Sequence, residues 1–120
     1  MSKRILCIDD EREVLELLEK ILRARGHDVV TAKDGVEGLT EALQGGYDLI
    51  ISDLMMPHLD GYDLCDELRK HDATKRTPII LATARQGTLT ARTANNYRAA
   101  YLAKPFATKD LLSLVDRLTR

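Results

Sequence analysis

A chain of 120 residues and 13.5 kDa, 44% hydrophobic and 31% charged, has the size and balance of one globular domain. Its folded surface should be roughly 6,500 Å² against roughly 19,600 Å² unfolded, so a core can form without disulfide or metal staples. With 18 basic and 19 acidic residues, a net charge of −1, it lacks the basic stripe of a nucleic-acid binder, and no apolar run approaches the ~18 residues that span a bilayer.

The N-terminal Met1-Ser2-Lys3-Arg4 leads into only four apolar residues before two acids, which does not make a secretion signal. Cys7 and Cys65 lie far apart in apolar patterns and read as buried free thiols of a reducing compartment. A cytoplasmic location is therefore expected.

Five short β-type runs alternate with helical patterns. Ile5-Leu6-Cys7-Ile8 reads as a strand apolar on both faces, and Val14, Leu17, Leu18, Ile21 and Leu22 then recur at helical spacing until Gly26. Val29-Val30-Thr31 is a second strand, and Val36, Leu39, Thr40 and Leu43 make a short helix ending at Gly45-Gly46. Leu49-Ile50-Ile51 forms the third strand. A loop from Pro57 to Gly61 precedes a helix from about Tyr62 to Lys70.

Pro78-Ile79-Ile80-Leu81-Ala82 is the fourth strand, with proline tolerated at its start. The stretch from Gln86 to Asn96 is the weakest helix, since Thr90, Thr93, Asn95 and Asn96 together cost on the order of 2–3 kcal/mol relative to alanine. It is expected to be short, mobile or differently placed. Tyr101-Leu102 lies in a fifth strand, and Thr108 is the expected cap of a last helix bearing Leu111, Leu114, Val115 and Leu118 on one face. Alternating strands and helices imply an α/β fold with a parallel five-stranded sheet, doubly wound, in the flavodoxin-like order 2-1-3-4-5. Residues 1–120 are expected to form one domain, with no repeat and no linker.

Polar residues stand where strands end. The first run closes on Asp9-Asp10, the third on Ser52-Asp53 and the fourth on Thr83, and Lys104-Pro105 follows the fifth. In open parallel sheets these carboxyl ends meet in one crevice at the topological switch point, here between strands one and three. Asp9, Asp10 and Asp53 should therefore be neighbours, flanked by Thr83 and Lys104. Two charges ~4 Å apart repel by roughly 4 kcal/mol at an effective dielectric near 20, so such a cluster calls for a cation or a retained proton. An all-oxygen set suits Mg²⁺, and a lysine with a hydroxyl beside it completes a site for phosphoryl chemistry with a carboxylate nucleophile. Taken singly, each of these residues reads first as a cap or turn former; their convergence carries the functional reading.

These residues resemble the receiver domain of response regulators, the CheY-like phosphoacceptor family of two-component signalling. The resemblance rests on Ile8-Asp9-Asp10-Glu11, on Asp53-Leu54-Met55-Met56-Pro57-His58-Leu59-Asp60-Gly61, on Thr83-Ala84 and on Tyr101-Leu102-Ala103-Lys104-Pro105-Phe106, and spans essentially the whole chain. It implies that Asp53 accepts a phosphoryl group from the phosphohistidine of a sensor histidine kinase or histidine phosphotransfer protein. Asp10, Asp53 and the Met55 backbone carbonyl would hold Mg²⁺, with Asp9 acting through a metal-bound water. Lys104 would pair with Asp53 at rest and with the phosphoryl oxygens afterwards; Thr83 and Tyr101 would be the switch pair, and the Lys104-Pro105 bond cis. The output implied is a protein-binding face for a downstream effector protein or domain, with no direct nucleic-acid or membrane contact.

The chain departs from the family in two places. Tyr97-Arg98-Ala99-Ala100 stands where the family often has Gly-Ala and two polar residues. Met55 and Arg85, two beyond the phosphoacceptor and the switch threonine, cannot accept a hydrogen bond from an attacking water as a polar acceptor would, so self-dephosphorylation should be slow. His27, His58 and His71 lack metal-ligand spacing and read as surface or turn residues. A haloacid-dehalogenase-like phosphohydrolase also uses an Asp nucleophile and Mg²⁺, but usually needs a second Asp where Met55 stands. On this reading the protein is a signalling phosphoacceptor that catalyses its own phosphoryl transfer rather than an enzyme. The alternative is a pseudo-receiver, an interaction module that takes no phosphate.

Overall fold

The computed structural model describes residues 2–84 and 91–120. In chain order the elements are β1 (Arg4–Ile8), α1 (Arg12–Ala24), β2 (Asp28–Ala32), α2 (Gly35–Ala42), β3 (Leu49–Asp53), α3 (Gly61–Arg69), β4 (Ile79–Thr83), α4 (Ala91–Asn96), β5 (Ala100–Ala103) and α5 (Thr108–Leu118). All strand pairings are parallel and the sheet order is β2-β1-β3-β4-β5, the doubly wound order expected from the sequence.

Alternation along the strands explains why helices cover both faces. Leu6 and Ile8 of β1, Ile50 of β3 and Ile79 and Leu81 of β4 point to one side, where Ala42, Leu64, Cys65, Leu68 and Ala94 from α2, α3 and α4 close over them. Ile5 and Cys7, Leu49 and Ile51, Ile80 and Ala82 point to the other, against Leu18 and Leu22 of α1 and Leu111 and Val115 of α5. Both cysteines are buried and free, and burial pushes each thiol up to about 12, so neither is reactive at neutral pH. Among the described residues no helix is long and apolar enough to cross a membrane.

Helix starts follow local chemistry in two cases and not in a third. Asp34 caps α2 by accepting from Glu37 N at 2.8 Å, and Asp60 caps α3 by accepting from Asp63 N at 2.9 Å. Thr108 does not cap α5: it is the first helical residue, Ala107 precedes it in extended conformation, and no side chain caps that end. The hydroxyl thus sits one residue too late to reach the second or third helical N–H. His27 is the turn residue that its spacing allows, and it is buried in the α1–β2 turn with Nδ1 accepting from Lys3 N at 3.1 Å.

The unusual stretch before β5 is built without the expected glycine. Residues 91–96 do form a helix, while residues 85–90, which hold Arg85 and the start of the segment expected to be irregular, lie outside the described residues. α4 ends in a paired turn, Ala99 N to Ala94 O at 3.0 Å and Arg98 N to Asn95 O at 2.9 Å, which puts Arg98 at φ 55°. Two contacts hold it there. Tyr97 stacks on Tyr62 of α3 with ring centroids 4.5 Å apart, and Arg69 Nη2 donates to Arg98 O at 2.8 Å. A left-handed non-glycine residue costs roughly 1–2 kcal/mol, so Arg98→Gly is expected to raise stability by about 1 kcal/mol in urea unfolding, since the Arg69 bond goes to backbone and survives. A loss of stability instead would mean that the Arg98 side chain itself holds the turn.

Candidate functional site

The carboxyl ends of β1, β3 and β4 and the residue after β5 do converge. Asp9 follows β1 directly and its N–H donates to Ala32 O at 3.1 Å, which extends the β1–β2 ladder by one step and turns the carboxylate toward β3. Asp9 Oδ1 then accepts from Glu11 N at 2.9 Å, an Asx turn that starts α1. Asp10, between them, is exposed. Asp53 closes β3 and is buried at 7% exposure. Carboxylate oxygens of Asp9, Asp10 and Asp53 all lie within 4.8 Å of one another.

Lys104 completes the cluster. Its Nζ donates to Asp9 Oδ2 at 2.7 Å and to Asp53 Oδ1 at 3.2 Å, with its side chain only 11% exposed. The expected resting partner was Asp53, yet the shorter bond goes to Asp9. The lysine therefore bridges the two buried acids, and both Asp9 oxygens are engaged. The Lys104-Pro105 peptide is cis. Lys104 N donates to Thr83 O at 2.9 Å, which places the lysine beside the end of β4.

The electrostatics are unbalanced in one place. Burial, reinforced by the Asp9 charge and opposed by Lys104, pushes the Asp53 carboxyl up to about 6. Burial alone would lower the Lys104 ammonium, but the Asp9 hydrogen bond and the two carboxylates more than reverse this and hold it above the ordinary lysine range. Among the described residues one cation thus faces three acids, and that cluster favours more positive charge.

A cleft of about 360 Å³ opens over the cluster, lined by Asp10, Glu11, Asp53, Met55, Thr83, Ala84 and Lys104. Thr83 is buried and Met55 is 45% exposed at the rim. The donor set fits Mg²⁺: it is all oxygen, with two or three carboxylates at one point and space on the solvent side for waters and phosphate oxygens. Tyr101 is not part of this cleft. It is half-buried on β5, packed against the α3–α4 side of the core and lining a separate groove with Asp110, Ser113 and Arg117 of α5. Asp9 thus also plays the turn-forming role that a lone acid at a strand end suggests, alongside its place in the cluster.

The fold and this cleft define a doubly wound α/β domain with an acidic site at the carboxyl ends of its strands, and comparison gives the family. The chain belongs to the response regulator receiver domain family, whose sequence model matches residues 5–116. It is 36% identical over 118 residues to the response regulator ArlR of Staphylococcus aureus, covering 98% of this chain and 52% of that protein. The chain thus spans about half the length of the curated relatives it matches. The structure of the chemotaxis response regulator CheY4 of Vibrio cholerae superposes with a TM-score of 0.89 at 29% identity, covering 98% of this chain and 99% of that one. The receiver domain of the sensor histidine kinase PA1611 of Pseudomonas aeruginosa, described with a magnesium ion coordinated in its active-site cleft, gives 0.88 at 30% identity, covering 99% of this chain and 98% of that one.

Proposed function

We propose that residues 1–120 form a single cytoplasmic receiver domain in which Asp53 is the phosphoacceptor. The observation that carries this reading is the buried Asp9–Lys104–Asp53 bridge at the floor of a cleft that also holds Asp10 and Thr83. An Asp53 carboxylate oxygen attacks the phosphorus of a phosphohistidine. The O–P bond forms, the N–P bond breaks, and the imidazole of the donor leaves. Asp10, Asp53 and the Met55 carbonyl would hold Mg²⁺, with Asp9 acting through a water, and the ion would supply positive charge against the phosphoryl oxygens. Lys104, already between two acids, turns its ammonium to those oxygens.

The new acyl phosphate adds roughly −1.5 to −2 charges and three acceptors in one crevice. Thr83 donates its hydroxyl to them, and Tyr101 moves toward the space behind Thr83, so that the β5–α5 surface differs between the two states. That surface is the binding face offered to an effector protein or domain. Sensor histidine kinases or histidine phosphotransfer proteins are the phosphoryl donors.

The test is intact mass after incubation with Mg²⁺ and acetyl phosphate, beside Asp53→Asn. One added phosphoryl group, missing from the variant, is the expected result; no adduct at any time point would leave the pseudo-receiver reading in its place. A second expectation concerns lifetime. Met55 at the cleft rim barely hydrogen-bonds and cannot orient a hydrolytic water, so the phosphoryl group should persist for minutes to hours. Phosphate release within seconds from purified protein in Mg²⁺ would contradict this.

A further inference from the structure

The loop between β3 and α3 supplies the cleft with Met55, and its shape is set by few contacts of its own. Gly61 N donates to Leu54 O at 2.8 Å, closing a ring around residues 55–60, and Leu59 N donates to Pro57 O at 2.8 Å inside it. The inner side of the ring is held by Met56, buried at 8% exposure, and by Leu59 against the core. Its remaining side rests on the first turn of α2. A methyl carbon built on Gly35 would fall within contact distance of Leu59 O and 2.9 Å from Leu59 Cβ. The obstacle is backbone, which cannot rotate aside. Gly35 is buried and its turn is pinned by the Asp34 cap.

We propose that Gly35 is a positioning residue for the phosphoryl site: by lacking a side chain it lets α2 seat directly on Leu59, and this fixes the 54–61 loop that presents Met55 to the metal. The inference rests on the assignment of Met55 to Mg²⁺ made above. Any larger residue displaces the loop by on the order of 1 Å, the distance needed to restore a van der Waals contact. Displacement of groups that orient metal ligands typically costs 10–100-fold in affinity. The carboxylates of Asp9, Asp10 and Asp53 follow β1 or end β3 and lie outside the loop, so the displacement is expected to act on Met55.

The same helix provides a control. A methyl on Gly38 is as crowded, but its neighbour is the Ile8 side chain, with Cγ1 at 2.8 Å, rather than the loop. Mg²⁺ titration by calorimetry and amide exchange of residues 55–60 are therefore compared in wild type, Gly35→Ala and Gly38→Ala, at a temperature where all are folded. Gly35→Ala is expected to weaken Mg²⁺ binding by about tenfold or more and to speed exchange of Met56 and Leu59. Gly38→Ala is expected to lose thermal stability with Mg²⁺ affinity unchanged. Equal Mg²⁺ affinity in Gly35→Ala and wild type, or equal weakening in both variants, overturns the proposal. If Gly35→Ala does not fold, Asp34→Ala loosens the same turn without adding an atom; it should weaken Mg²⁺ binding severalfold, and unchanged affinity overturns the proposal equally. A wild-type protein that binds no Mg²⁺ overturns the phosphoryl reading itself, and this role with it.

Discussion

Lys104→Met is expected to destabilise the protein by about 3–5 kcal/mol near pH 8 without divalent cations, the range for removing one partner of a buried ionic group. Methionine keeps the length of the stem and deletes only the charge. The two carboxylates it leaves behind are nearly inaccessible, with side chains 2% exposed for Asp9 and 8% for Asp53. Water cannot replace the lost ammonium at either, and at ~4 Å their mutual repulsion is roughly 4 kcal/mol at an effective dielectric of 20. The Asp53 carboxyl stands at about 6 with Lys104 present and rises further once the cation is gone. It then keeps its proton in mildly acidic solution, so the loss should shrink toward about pH 5. Urea unfolding at both pH values checks this. A loss below about 1 kcal/mol that does not vary with pH would place Lys104 among ordinary surface pairs. Mg²⁺ should restore part of the stability.

Asp53→Asn is expected to work in the opposite direction. Because the folded-state value, about 6, lies above the ordinary carboxyl value of 3.8, the folded protein holds this proton more tightly than the unfolded chain does. Between these values the unfolded chain releases its proton first, so stability falls as pH rises from about 4 to about 6 and stays low above that. The difference corresponds to at most about 3 kcal/mol, with burial and the Asp9 charge as its sources. Asparagine cannot ionise and removes the penalty. At neutral pH in chelator the variant should be the more stable protein by up to about 3 kcal/mol, and the two should converge near pH 4. Mg²⁺ at about 100 times its dissociation constant adds about 2.7 kcal/mol to wild type alone, which brings the two back to near equality. Thermal unfolding with and without Mg²⁺ measures all three statements; a variant less stable than wild type in chelator would show that ionised Asp53 is held by Lys104 at no net cost.

These opposed effects share one cause. The sheet topology brings three acids to a point where, among the described residues, one lysine faces them, and this imbalance underlies both the Mg²⁺ site and the nucleophilic role proposed for Asp53. On that proposal the protein would hold its phosphoryl site at the expense of stability, a pattern common to functional sites.

The sheet and its convergent carboxyl ends were legible in the sequence because both depend on local pattern. Apolar runs such as Ile5–Ile8 and Leu49–Ile51, flanked by helical periodicity, leave little choice but a parallel sheet covered twice. Once its order is given, Asp9, Asp10, Asp53, Thr83 and Lys104 have nowhere else to go. What the chain by itself did not decide are relations between groups distant along it. Lys104 lies closer to Asp9 than to Asp53, α5 starts without the expected threonine cap, and His27 is buried in a turn. Tyr97 finds Tyr62, and Arg69 reaches Arg98 O, in place of a glycine at the α4–β5 turn. Gly35 meets Leu59 across 24 residues of sequence. Each of these is settled by atomic contact after the elements have packed, at a scale of an ångström that periodicity, measured in residues, does not resolve.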